Sequence, residues 1–180
     1  QEVDEYFLSK DVKAPAIVQE YQTPAKVLPG MYVYADGLIS AELITGRQVK
    51  AVVGYVEGKT VYAVCLKAKE LPWSSDCLEV KASRDLTDGT EATAVILAAA
   101  KQKRGKAEAA QWCHDYAEDG VIQGEAFLPS LTELEKLFAN KAAINVSLKA
   151  LGAALLEGWY WSSTENDILS AWLFDMNFGN

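Results

Sequence analysis

The chain has 180 residues, half of them hydrophobic, and a net charge of −8. That length suits one domain with a short appendage, and the apolar half is enough for a sizeable core. The acidity argues against a nucleic-acid partner, which needs a basic face, and against a polybasic contact with lipid. No apolar run approaches the ~20 residues of a spanning helix, so the chain is not expected to be membrane-embedded.

A start at Gln1 rather than Met leads us to expect processing, with a signal peptide already removed as one form of it. Cys65, Cys77 and Cys113 are odd in number and widely spaced. They form neither a disulfide framework nor a zinc pattern. We expect all three reduced and mostly buried, with Cys65 in an apolar strand and Cys113 in a helix as small hydrophobes.

In chain order, residues 1–27 read as an N-terminal arm or strand, polar with Pro15 and Pro24 and with Ala16-Ile17-Val18 as its extended part. Residues 28–180 read as the domain. Leu28-Pro29-Gly30 makes a turn before a short strand at Met31-Tyr32-Val33-Tyr34, and Ala35-Asp36-Gly37 is a tight turn ahead of Leu38-Ile39-Ser40. Lys50–Glu57 and Thr60–Leu66 form a hairpin around Gly58-Lys59, and their near-continuous apolar runs predict a central, buried pair. Helices are expected over 90–103, 107–118, 131–139 and 144–151. Thr87-Asp88-Gly89-Thr90 opens the first, Asp119-Gly120 ends the second, Ser130 with Glu133 is a capping box for the third, and Gly152 closes the fourth. The order strands, helices, strands is an α+β pattern, and the first and last strands are expected to share one antiparallel sheet.

The C-terminal stretch holds three of the five tryptophans. Trp159–Glu165 and Ala171–Phe178 read as two strands joined by a polar loop. In the second, Trp172, Phe174, Met176 and Phe178 alternate with Leu173, Asp175 and Asn177. A period of two puts the aromatic set inward and the mixed set outward. Trp161 and Trp172 are then core anchors. The outer set is a surface free to vary, which is equally the pattern of any antiparallel sheet with one solvated face.

Taken in order, Pro29-Gly30, Tyr34-Ala35-Asp36-Gly37, the hairpin, Trp73, Trp112-Cys113, Leu128-Pro129-Ser130-Leu131-Thr132-Glu133-Leu134, Asn140-Lys141, Ile144-Asn145, Trp161-Ser162-Ser163-Thr164-Glu165 and Ala171-Trp172 resemble a known family. It is the C-type-lectin-fold domains of bacterial surface proteins, fimbrillin-like or adhesin-like, and of phage proteins, including the variable proteins of diversity-generating retroelements. The fold is shared with formylglycine-generating enzymes. The resemblance covers about residue 28 to the end. It implies a non-enzymatic recognition domain on a cell surface or virion, outside the cell, binding a protein or glycan. By position, the ligand set it implies is Asn166, Asp167, Ile168, Leu169, Ser170, Leu173, Asp175 and Asn177. The adjacent aliphatics Ile168 and Leu169 are unusual in a loop without a partner. Family members commonly run past the final Gly-Asn to a further strand, where this sequence stops at Gly179-Asn180. The alternatives are a structural module of a pilus or envelope assembly and a degenerate relative of the enzymes.

The residues offer little chemistry. No cysteine follows Cys113, where the formylglycine-generating reaction needs reactive thiols. Cys113 and His114 point about 100° apart on a helix, so they do not pair as nucleophile and base. The calcium triplets of animal lectins are absent. Asp85 and Asp88-Gly89 lack the further ligands of a calcium loop and read as a helix-capping turn. No metal or cofactor is expected. Glu165 has no second carboxylate beside it and is expected to accept backbone hydrogen bonds that lock its loop.

Overall fold

The computed structural model describes residues 24–167 and 170–180, and it describes Asp167 and Ser170 through their backbone pairing alone. The expected arm strand at Ala16-Ile17-Val18 and two expected ligand residues, Ile168 and Leu169, lie outside the described residues.

The architecture is α+β. Strands β1 (Tyr32–Tyr34), β2 (Ile39–Ser40), β3 (Val49–Glu57) and β4 (Thr60–Cys65) come first. A single 3-10 turn, Lys81–Ser83, leads into helices α1 (Gly89–Lys103), α2 (Glu108–Asp115), α3 (Leu131–Ala139) and α4 (Lys141–Ala150). Strands β5 (Trp159–Asp167) and β6 (Ser170–Asp175) end the chain. The first four strands form one antiparallel sheet in the order β2-β1-β3-β4.

Two expectations about the strands are corrected. The late strands do not join the early sheet: among the described residues, β5 and β6 pair only with each other. The reason lies in what β5 bonds instead. The Ser163 N–H donates to the Pro129 carbonyl at 2.8 Å. The Trp73 ring N–H donates to the Ser162 carbonyl at 2.9 Å, and Glu165 accepts the Val80 N–H. The backbone groups of Ser162 and Ser163 and the side chain of Glu165 thus tie β5 to loops. Early and late strands share a core rather than a sheet. Tyr32 and Val52 from the first sheet pack in one cluster with Leu134, Ile144 and Leu148 from the helices and Phe174 and Met176 from the end of the chain. The second correction concerns the hairpin. β3 is central and buried through most of its length, but β4 is the edge of the sheet and only half-buried.

The local signals mostly act as read. Gly58, at φ 58°, takes the left-handed position of the two-residue turn between β3 and β4. Asp88 caps α1, its Oδ1 accepting the N–H groups of Thr90 and Glu91 at 2.8 and 3.2 Å. Ser130 and Glu133 form the full capping box of α3. Gly54 lets α3 approach β3 closely, because a Cβ there would collide with the Leu137 side chain. Helix α2 ends at Asp115, three residues before the expected stop. Tyr116 turns out of the helix at ψ 117° and its hydroxyl donates to Asp119 at 3.0 Å. Helix α4 starts at Lys141, three residues early, because Asn140 serves both α3 and α4 and donates its side-chain amide to the Gly54 carbonyl at 3.0 Å.

Candidate functional site

The Trp-Ser-Ser-Thr-Glu stretch is a clip. In the β5–β6 ladder, Tyr160 faces Phe174, Trp161 faces Leu173, and the next pair is Glu165 with Ala171. Ser162, Ser163 and Thr164 therefore stand opposite Trp172 alone, a bulge with two extra residues. All three are buried. The Ser162 hydroxyl donates to the Trp172 carbonyl at 2.8 Å, and the Thr164 hydroxyl accepts the Leu131 N–H at 3.1 Å. The Ser162 and Thr164 hydroxyls thus each satisfy a backbone group where the ladder is interrupted, whereas the buried Ser163 hydroxyl has no hydrogen-bond partner among the described residues.

The bulge and the turn behind β6 overturn the expected facing of the last strand. Phe174 and Met176 are buried as expected. Trp172, opposite the bulge, is 47% exposed and Phe178 is 79% exposed, so neither is a core anchor. Asp175, expected outside, is buried at 4% exposure. Strand geometry ends at Asp175, and the period of two ends with it. The chain then turns, with the Gly179 N–H donating to the Asp175 carbonyl at 2.8 Å and the Asn177 N–H to the Asp175 carboxylate at 2.8 Å. Trp161 is only half-buried, its ring N–H donating to the Leu71 carbonyl at 2.9 Å. The tryptophan that does fill a core is Trp73.

Of the expected ligand residues, Asn166, Leu173 and Asn177 are exposed. Asn177 is partly committed, its side-chain oxygen accepting the Gly158 N–H at 3.2 Å. Asp175 is removed from the surface. Trp159, outside the expected set, is 64% exposed. By strand register it lies on the same face as Trp161 and Leu173. Its signal was the position itself: the first residue of a strand, after Gly158, is less enclosed than the middle.

Trp159, Trp161 and Leu173 also wall one end of a cavity of about 1020 Å³. Its lining also takes in the edge strand β4, Leu71 and Trp112 of α2. The size is that of a small-molecule or side-chain-binding cleft.

The titratable groups near it are held by structure. Burial pushes the Cys113 thiol up to about 12, with Cys65 adding to the effect, and burial pushes Cys65 up to about 11. Both line the cavity as thiols rather than thiolates. Cys77 departs from the expected burial: it is exposed, in a loop at φ 52°. Burial also raises the Glu133 carboxyl, against the opposing pull of the Ser130 and Gly89 N–H groups at 2.8 and 3.1 Å. Burial raises the Tyr55 hydroxyl, helped by Glu133. Glu165 has the locking role expected of it, accepting from Val80 and Arg84. Among the described residues, no group of three His, Cys, Asp or Glu side chains is placed to hold a metal ion, and no helix is long and apolar enough to cross a membrane. Compared with protein-family models, with curated proteins and with solved structures, the chain finds no match in any of the three.

Proposed function

We propose that the chain is a non-enzymatic recognition domain of the C-type-lectin type, displayed on a cell surface or virion, that binds a protein or glycan through the outer face of β5 and β6. The observation that carries this is the exposure of Trp159 and Leu173, both lining a cavity, on a ribbon clipped to the body by its buried bulge. A large aromatic ring on a fixed base is a low-entropy contact of the kind found at binding hot spots. Asn166 and Asn177 add adaptable polar groups at the rim. Asp175 has no part in contact and shapes the turn instead.

The test is retention of the chain on a glycan array and on intact cells. Saturable retention on either supports recognition. One observation favours the structural-module alternative: β4 carries a free strand edge among the described residues, and such edges pair with other chains. If the chain is retained on neither surface and sediments as an ordered assembly, the structural reading replaces the recognition reading.

A further inference from the structure

A second cleft, of about 750 Å³, is lined by the last turns of α1, by α2, and by Lys69 and Leu71 from the loop after β4. Its volume falls in the range of small-ligand sites. Leu71, Leu97 and Trp112 supply apolar lining. Trp112 is half-buried and meets the Tyr116 ring edge-on, with centroids 5.5 Å apart and planes at 77°. That contact helps to fix the indole in place.

The charges of this cleft run against those of the chain. The net charge is −8 with histidine neutral, yet the cleft sets Lys69, Lys101 and Lys106 against Glu108 alone. Glu108 is already engaged, its carboxylate accepting the Ser75 N–H at 3.0 Å and the Ser75 hydroxyl. Elsewhere Lys50, Lys67, Lys81 and Lys136 each have a carboxylate within 4.0 Å. The three cleft lysines are exposed and have no such partner among the described residues. A helix C-terminus favours cations, which accounts for Lys101 in the last turn of α1. It does not account for Lys69 or Lys106, which come from other segments. Like charges gathered in one cleft repel, and a bound anion relieves that repulsion.

We propose that this cleft binds an acidic oligosaccharide, with carboxylate or sulfate groups on Lys69, Lys101 and Lys106 and a sugar face against the Trp112 ring. Lysine ammonium groups are point charges on flexible stems, suited to anionic groups spread along a ligand. Planar two-pronged recognition belongs to arginine, and no arginine lines the cleft among the described residues. Lys69, Leu71 and Trp112 also line the larger cavity, whereas Trp159, Trp161 and Leu173 line only that one. The cleft is thus a site apart from the outer face of β5 and β6 and does not depend on that face binding.

The test is calorimetric titration of the full chain with a galacturonate tetrasaccharide and a heparin tetrasaccharide, with neutral maltotetraose and ATP as comparators. At least one acidic probe is expected to bind, more weakly as salt rises, and maltotetraose is not. Lys69→Ala/Lys101→Ala/Lys106→Ala is expected to weaken that binding about tenfold or more. Lys26→Ala/Lys59→Ala/Lys149→Ala removes the same charge from exposed positions outside the cleft and is expected to change it by about twofold or less. The indole N–H signal of Trp112 is expected to shift during the titration and that of Trp159 to stay. Absence of binding by both acidic probes overturns the proposal, as does equal binding of maltotetraose. An equal loss in the two triple variants reduces the effect to net charge and overturns it. A shift of Trp159 without Trp112 moves the ligand to the β5–β6 face, and ATP binding tighter than both oligosaccharides makes the cleft a nucleotide site; either result overturns it too.

Discussion

The Nε of Arg84 lies 2.8 Å from Oε2 of Glu165, a side chain that is 1% exposed and whose Oε1 accepts the Val80 N–H at 2.6 Å. One carboxylate thus ties β5 to the 3-10 turn more than eighty residues away. The two partners are unequal. Arg84 is a third exposed and keeps water when the pair is broken, whereas Glu165 does not. Removing the arginine therefore leaves a buried, uncompensated charge, which typically costs about 3–5 kcal/mol. Solvent near Arg84 screens the pair, so we expect Arg84→Met to fall at the low end, about 3 kcal/mol. Glu165→Gln keeps an acceptor for Val80 and should cost less, about 1–2 kcal/mol. Urea melts of both variants check the order, and equal losses would mean that Glu165 is better solvated than its geometry states.

The tryptophans should separate by position rather than by type. Trp73→Ala removes a buried ring with a ring N–H bond to Ser162, and Phe174→Ala empties the main core; each should cost about 3–5 kcal/mol. Trp172→Ala and Phe178→Ala remove exposed rings and should cost about 1 kcal/mol or less. Denaturant midpoints at constant slope decide it. A Trp172 variant as damaged as the Trp73 variant would restore the inward reading of that side chain.

Much of this was legible in the sequence, and the failures have a common cause. Asp88, Ser130 with Glu133, and Gly58 act through neighbours within three residues, so their caps and turn could be read from spacing alone. The α+β order and the four helices followed from the same local signals. The facing of Trp172, Asp175 and Phe178 could not be read that way. It depends on a bulge whose extra residues are held by Pro129, Leu131 and Trp73, all distant in the chain, and on a turn that ends the alternation at Asp175. The separation of the two sheets is likewise a long-range choice, made by what β5 bonds. The cavity combines β4, α2 and β5, and no single stretch of sequence announces it.

Glu133 should leave a mark on the pH dependence of stability. Its folded-state carboxyl is raised by burial above its unfolded value. The folded chain therefore holds that proton more tightly, and the contribution is fully present below the unfolded value, about 4.3, and is lost as pH rises through the higher folded value. Glu133→Gln cannot ionise and should flatten this decline. Melting temperatures of both proteins, taken from acid to neutral pH, are expected to converge toward low pH and to diverge in favour of the variant's flatter profile above it. Parallel profiles would show that the N–H groups of Ser130 and Gly89 outweigh burial.

The face carrying Trp159 and Leu173 is proposed to bind a ligand without holding the fold together. The most direct measurement pairs stability with binding for Trp159→Ala/Leu173→Ala, using the array glycan or cell surface that retains the unmodified chain. Both side chains are exposed, so we expect the double variant to melt within about 1 kcal/mol of the parent. Truncating an aromatic anchor at a binding surface typically costs 2 kcal/mol or more, so retention should fall by about thirtyfold or more. Undiminished retention by a stably folded double variant would remove this face from binding.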